Sequence, residues 1–158
     1  MVTMDSQITQ KMFHKLLDPE FDMGAFDYDT CVGLASEAVE SRELYQKVLG
    51  KMTHTLTLKH GEKAVSNFAQ GIENATGYKV KPSSLRVYRW VYQKLEPMLD
   101  KIPADFSYLC WRDLAGTDDP EGWLGRAISE GMSGSQLGRE IRIARGSQRE
   151  AKIVVCEK

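Results

Sequence analysis

Two apolar runs at helical spacing, parted by a glycine and a proline, constrain this chain more than anything else in it. From Glu62 to Ala75, the residues Val65, Phe68, Ala69 and Ile72 recur at intervals of three and four, the period of a helix with one buried face. Thr76-Gly77 closes that run. Pro82-Ser83-Ser84 then opens a second, in which Leu85, Tyr88, Tyr92 and Leu95 make one stripe. A serine hydroxyl there can accept from an orphan N–H of the first turn, so the pair predicts a helix start. Arg86, Arg89, Trp90 and Gln93 fall on the other sides of this helix, and Lys79 and Lys81 precede it. A helix, a glycine-containing turn and a helix carrying arginines and aromatics is the outline of a helix-turn-helix, whose second helix enters the DNA major groove. The plainer alternative is a helical hairpin with solvated arginines.

The same period organises the rest. Ser6 to Leu17 is a helical run ended by Asp18-Pro19, and residues 19–29 are an acidic, aromatic loop holding Phe21, Phe26 and Tyr28. Asp29 or Thr30 can cap a helix to about Val39, and Ser41 to Leu58 reads as another despite its alternating Thr53-His54-Thr55-Leu56-Thr57. Pro97 kinks or restarts the chain near Glu96, and Ile102-Pro103 stops it. A short helix runs from Phe106 to Ala115. Asp119, Pro120 and Glu121 open the next, to Glu130, where Gly131 closes it. Ser133-Gly134-Ser135-Gln136 is a capping box for a last helix that Gly146-Ser147 ends. Lys152 to Cys156 has three β-branched residues in a row and reads as a strand. The expected fold is all-α, about seven helices with helix-turn-helix elements and a short C-terminal strand. The expected regions are residues 1–78, 79–150 and the tail 151–158.

The pair around Gly131 is a second helix-turn-helix candidate. Ala127, Gly131 and Leu137 match the small residue, turn glycine and buried position of the short-turn form, whereas Glu140 stands at a place usually apolar. Arg139, Arg142, Arg145 and Arg149 follow at spacings of three and four. Such a stripe can reach phosphates or guanine edges; it also suits the negative end of a helix dipole. The candidate DNA-binding set is therefore Lys79, Lys81, Ser83, Ser84, Arg86, Arg89, Trp90 and Gln93 in the first pair. In the second it is Ser133, Ser135, Gln136, Arg139, Arg142 and Arg145.

Charge narrows the partner. The formal net charge is −1, which argues against a general polyanion binder. Residues 1–78 hold 7 Lys+Arg against 11 Asp+Glu, and residues 79–158 hold 14 against 11. A mildly basic nucleic-acid region beside an acidic partner-binding one would show this asymmetry. Cys31, Cys110 and Cys156 form no CxxC, and His14, His54 and His60 form no HxxxH, so neither metal nor cofactor is expected. No GxSxG, P-loop or HExxH is present, and capping explains Asp118, Asp119 and Glu121, so the chain is not expected to be an enzyme. With no secretory signal and no run of about eighteen apolar residues, a cytoplasmic protein without membrane contact is expected. Trp111 and Trp123 read as core anchors; Trp90 shares the arginine side.

The succession Ile102-Pro103-Ala104-Asp105-Phe106-Ser107-Tyr108, Arg112-Asp113-Leu114-Ala115, an acidic turn, Arg126-Ala127, Glu130-Gly131-Met132-Ser133 and Gln136-Leu137-Gly138-Arg139-Glu140-Ile141 resembles the helical DNA-binding modules of plasmid and phage regulators related to ParB-type partition proteins. It also resembles the N-terminal helical domain of YhcG-type bacterial nucleases. The likeness spans about residues 82–145 and lies in the order of elements. An arginine-rich nucleotide-binding box is absent and no catalytic nuclease domain follows, so it implies a small regulator of mobile-element origin without CTPase or nuclease activity. Double-stranded DNA is the expected partner, bound by a homodimer whose tail strands pair across a two-fold axis. The alternative is a protein-binding adaptor or inhibitor of a host factor that grips its partner through residues 19–29.

Overall fold

The protein is described by a computed structural model, which covers the backbone of residues 15–38 and 45–156 and the side chains of 15–36 and 45–146. The fold is all-α, as expected. After helical residues 15–17, seven α-helices follow one another among the described residues: α1 (Tyr28–Ala38), α2 (Tyr45–His60), α3 (Lys63–Thr76), α4 (Pro82–Leu95), then a 3-10 segment Glu96–Lys101, α5 (Tyr108–Ala115), α6 (Pro120–Glu130) and α7 (Gly134–Cys156). Of the expected opening helix only residues 15–17 are described, and these are helical. The first residues of the run expected from Ser41 also lie outside the described part. Among the described residues no strand occurs, and no helix is long and apolar enough to cross a membrane.

Contacts gather the chain into two compact units, Met1–Asp100 and Lys101–Lys158. The helix at Pro82 thus belongs with the N-terminal helices, and no unit begins near residue 79. In the first unit Val48, Leu49, Met52 and Leu56 of α2, Val65, Phe68 and Ile72 of α3, and Leu85 of α4 share one core. α2 and α4 touch backbone to backbone at Gly50, where a Cβ would stand 2.5 Å from the Tyr88 carbonyl oxygen. The threonine-rich end of α2 is helical, and there Thr53, Thr55 and Thr57 donate to the carbonyls of Leu49, Lys51 and Thr53 at 2.6, 2.9 and 2.7 Å. That back-bonding satisfies their hydroxyls within the helix.

The acidic aromatic loop is fastened to this unit. Lys51 is 4% exposed. Its Nζ donates to the carbonyls of Leu16, Asp18 and Phe21, the last two at 3.1 and 3.0 Å. Burial pushes the Lys51 pKa down, while three carbonyl acceptors favour its charged form. Phe21 and Phe26 meet edge to face at 5.9 Å, Met23 is buried, and Lys59 donates to the Phe26 carbonyl at 2.7 Å. The N-cap of α1 is Asp27, ahead of the expected Asp29 or Thr30: its carboxylate accepts from the Thr30 N–H at 2.7 Å, and hydrogen bonds from the Thr30 side chain and backbone hold its pKa low.

In the second unit Trp111, Leu114, Leu124, Leu137 and Ile141 are buried. Ser107 caps α5 and Asp119 caps α6, with Pro120 in the first turn. One expectation fails here. Helix α7 passes through Gly146-Ser147 and runs on to Cys156, so the tail is no strand, and pairing of tail strands loses its basis. A lone strand would leave its backbone groups without partners in a helical protein. Keeping three β-branched residues helical costs only some tenths of a kcal/mol each.

Candidate nucleic-acid interface

The first candidate pair, α3 and α4, is joined by residues 77–81, and the N–H of Gly77 (φ 73°) caps α3 on the Glu73 carbonyl at 2.7 Å. The N-cap of α4 is Lys81 and makes no side-chain bond; Pro82 opens the helix, so neither serine caps it. Leu85, Val91, Tyr92 and Leu95 are buried and Tyr88 is partly so.

Arg86, Arg89 and Gln93, three of the expected readers on α4, are engaged with their own unit. Arg89 Nη1 lies 2.5 Å from Glu62 Oε1 and 3.2 Å from Thr57 Oγ1, with its side chain only 15% exposed. Arg86 Nε lies 3.6 Å from the other oxygen of Glu62. The hydrogen bond from Arg89, aided by the charge of both arginines, holds the Glu62 carboxyl below its ordinary range. Gln93 Nε2 lies 3.0 Å from His54 Nδ1, whose other nitrogen stands 3.5 Å from Glu96. Trp90 is exposed on the outer side, together with Ser83, Lys79 and Lys81; Ser84 is half-buried.

The second pair is built differently. Gly131 adopts φ 66°, a left-handed conformation that side chains with a Cβ resist. The N–H of Met132 reaches the Ala127 carbonyl at 2.8 Å and the N–H of Gly131 reaches Ile128 at 3.3 Å, the double closure of a Schellman turn. Two residues later the capping box forms. The Gln136 N–H donates to Ser133 Oγ at 3.2 Å, and the Ser133 N–H donates to Gln136 Oε1 at 2.9 Å. A short connection thus fixes where α7 begins. Leu137 and Ile141 turn into the core, while Ser135, Gln136 and Arg139 are exposed on its first two turns.

Not every arginine of the stripe shares that exposure. Arg142 is half exposed and donates to the buried carboxylate of Asp113 at 3.1 Å. Arg145 donates to the Asp113 carbonyl at 3.1 Å and lines a cleft of about 200 Å³ with Trp123, Ile141 and the 116–119 loop. Arg139 has no carboxylate within ion-pair distance among the described residues. The outer face of α7 therefore carries Ser135, Arg139 and Arg142 at spacings of four and three, with Arg145 turned inward.

Two contributors escaped the sequence reading. Asp113 organises both Arg142 and Arg145, yet sits among Trp111 and Leu114 with nothing local to mark it. Arg126 on α6 lies 5.5 Å from the Trp123 ring centre, 3.2 Å from Glu130 and 3.9 Å from Glu140. Its four-residue spacing from Glu130 is the signal that could have revealed it. Among the described residues no cluster of His, Cys, Asp or Glu could hold a metal. Cys31 and Cys110 are buried, and burial pushes the Cys31 thiol up.

No protein-family model, curated protein or solved structure matches this chain.

Proposed function

We propose that this chain is a sequence-specific DNA-binding regulatory protein and that α6, the Gly131 turn and α7 are its reading element. The observation that carries the reading is the start of α7. A left-handed glycine and a reciprocal capping box fix the helix entry, and Ser135 and Arg139 are exposed on its outer face. In this reading α7 lies in the major groove and Arg139 addresses a guanine edge, for which a guanidinium is geometrically suited. Arg142 keeps one nitrogen on Asp113 and offers the rest to the same groove, and Gln136 and Ser133 hold the helix in place. The regulator of plasmid or phage kind implied by the order of elements is the biological setting this reading favours.

The test is selection of bound duplexes from a random double-stranded pool by the full chain, followed by titration of the enriched duplex. Enrichment of one motif, with affinity that falls as salt rises, supports the reading. Failure to bind any duplex at low salt would overturn it.

A further inference from the structure

The outer face of α4 is unlike the rest of its unit. Ser83, Val87, Trp90 and Lys94 follow one another at spacings of four, three and four, and all are exposed. Val87 is 42% exposed and Trp90 44%. Two large apolar side chains thus sit side by side on the water face of a helix whose inner face is already satisfied. Charge singles out the same place. Residues 79–100 hold 5 Lys+Arg against 2 Asp+Glu, whereas residues 1–78 hold 7 against 11. Lys79, Lys81 and Lys94 have no carboxylate within ion-pair distance among the described residues.

We infer that this face is a docking site for an acidic peptide segment of a partner protein, one that sets Leu, Phe or Trp side chains against Val87 and Trp90 and Asp or Glu against the lysines. Charge complementarity selects the occupant: the exposed apolar pair shares its stripe with Lys94, and Lys79 and Lys81 precede the same helix, so this stretch of an otherwise acidic unit attracts a mobile acidic strand or helix more than an acidic second copy. The composition of the face argues against single-stranded nucleic acid. Base stacking needs successive aromatic platforms, and here an aliphatic Val87 stands beside one indole. The guanidiniums that would meet phosphates, Arg86 and Arg89, already share the Glu62 carboxylate. This site is independent of the DNA reading, which lies in the other unit. It also differs from the 19–29 loop, whose aromatic side chains are turned onto their own unit.

The experiment is selection from a random twelve-residue peptide library displayed on phage against the full chain, then titration of the most enriched synthetic peptide by Trp fluorescence. Enriched peptides should combine Asp or Glu with Leu, Phe or Trp, and the Trp90→Phe variant should lose the fluorescence change. Trp90→Ala should weaken binding by roughly tenfold or more, as truncating an aromatic anchor does, and Lys79→Glu with Lys81→Glu should do so independently of any packing loss. Circular dichroism of each variant separates these losses from unfolding. Selection of no peptides, of peptides without acidic bias, or of peptides indifferent to both sets of variants would overturn the site. So would a twenty-nucleotide oligo-dT that quenches Trp90 and that the peptide does not displace, which would reassign the face to nucleic acid.

Discussion

Helices α4 and α7 each carry arginines at helical spacing after a glycine-containing connection, yet their guanidiniums have different fates. On α4, Arg86 and Arg89 converge on one carboxylate contributed by the start of α3. On α7, Arg139 is exposed with no carboxylate in ion-pair reach among the described residues, and Arg142 is held at one nitrogen by a buried aspartate. The connections differ as well: five residues without a side-chain cap lead into α4, against a Schellman turn and capping box before α7. The lesson is that a row of arginines acquires meaning from the acids facing it. In α4 the row is an internal clamp, and what it leaves outside is Trp90.

The sharpest way to break this comparison is to remove one arginine from each helix. Arg139→Ala should cost roughly 1–3 kcal/mol of specific DNA binding, the worth of one good base contact. Arg89→Ala should leave the DNA titration unchanged and lower the denaturation midpoint instead. The opposite pattern would exchange the roles of the two helices.

Next in size is the turn. Gly131→Ala should destabilise the protein by about 1–2 kcal/mol, because a Cβ opposes the left-handed conformation. Gly125→Ala, exposed within α6 with open space where its Cβ would go, should stabilise by about 0.5–1 kcal/mol through helix propensity. Denaturant titration of both variants checks the opposite signs. Losing the cap is smaller again: Ser133→Ala should cost about 1 kcal/mol, whereas Ser83→Ala, which removes no cap bond, should be close to neutral.

The smallest effect is a pH dependence of the α4 clamp. The Glu62 pKa is lowered from 4.5 in the folded protein, chiefly by its hydrogen bond from Arg89. The clamp's contribution is therefore present above the unfolded pKa and is lost as the pH falls through the folded one. Thermal melts of the wild type and Glu62→Gln should differ at neutral pH and converge in acid below that range.

What could be read from the sequence was local. Gly77 and Gly131 as helix ends, Asp119-Pro120 as a start, and the Ser133–Gln136 box all involve neighbours within a few positions, and each took the conformation expected. The partners that decide the fate of the arginines are remote: Glu62 and Arg89 are 27 residues apart, His54 and Gln93 are 39, Asp113 and Arg142 are 29. No periodicity reveals such pairs. The tail failed for the reverse reason, since Gly146-Ser147 and three β-branched residues are strong local signals that a helix already under way overrode. At Pro82, the proline itself occupies the first helical position, which moves the cap back onto Lys81 and leaves the serines inside the helix.

Lys51 has a consequence for how the N-terminal unit opens. One ammonium gathers three carbonyls from Leu16, Asp18 and Phe21, so the amides of that segment should exchange with deuterium together, as a single latch releasing, rather than residue by residue. Lys51→Met keeps much of the stem but removes the donor that the three carbonyls share, leaving Asp18 only the N–H of Phe21 at 2.9 Å. Its first symptom should be cleavage by a protease between residues 18 and 27 while the helices still resist.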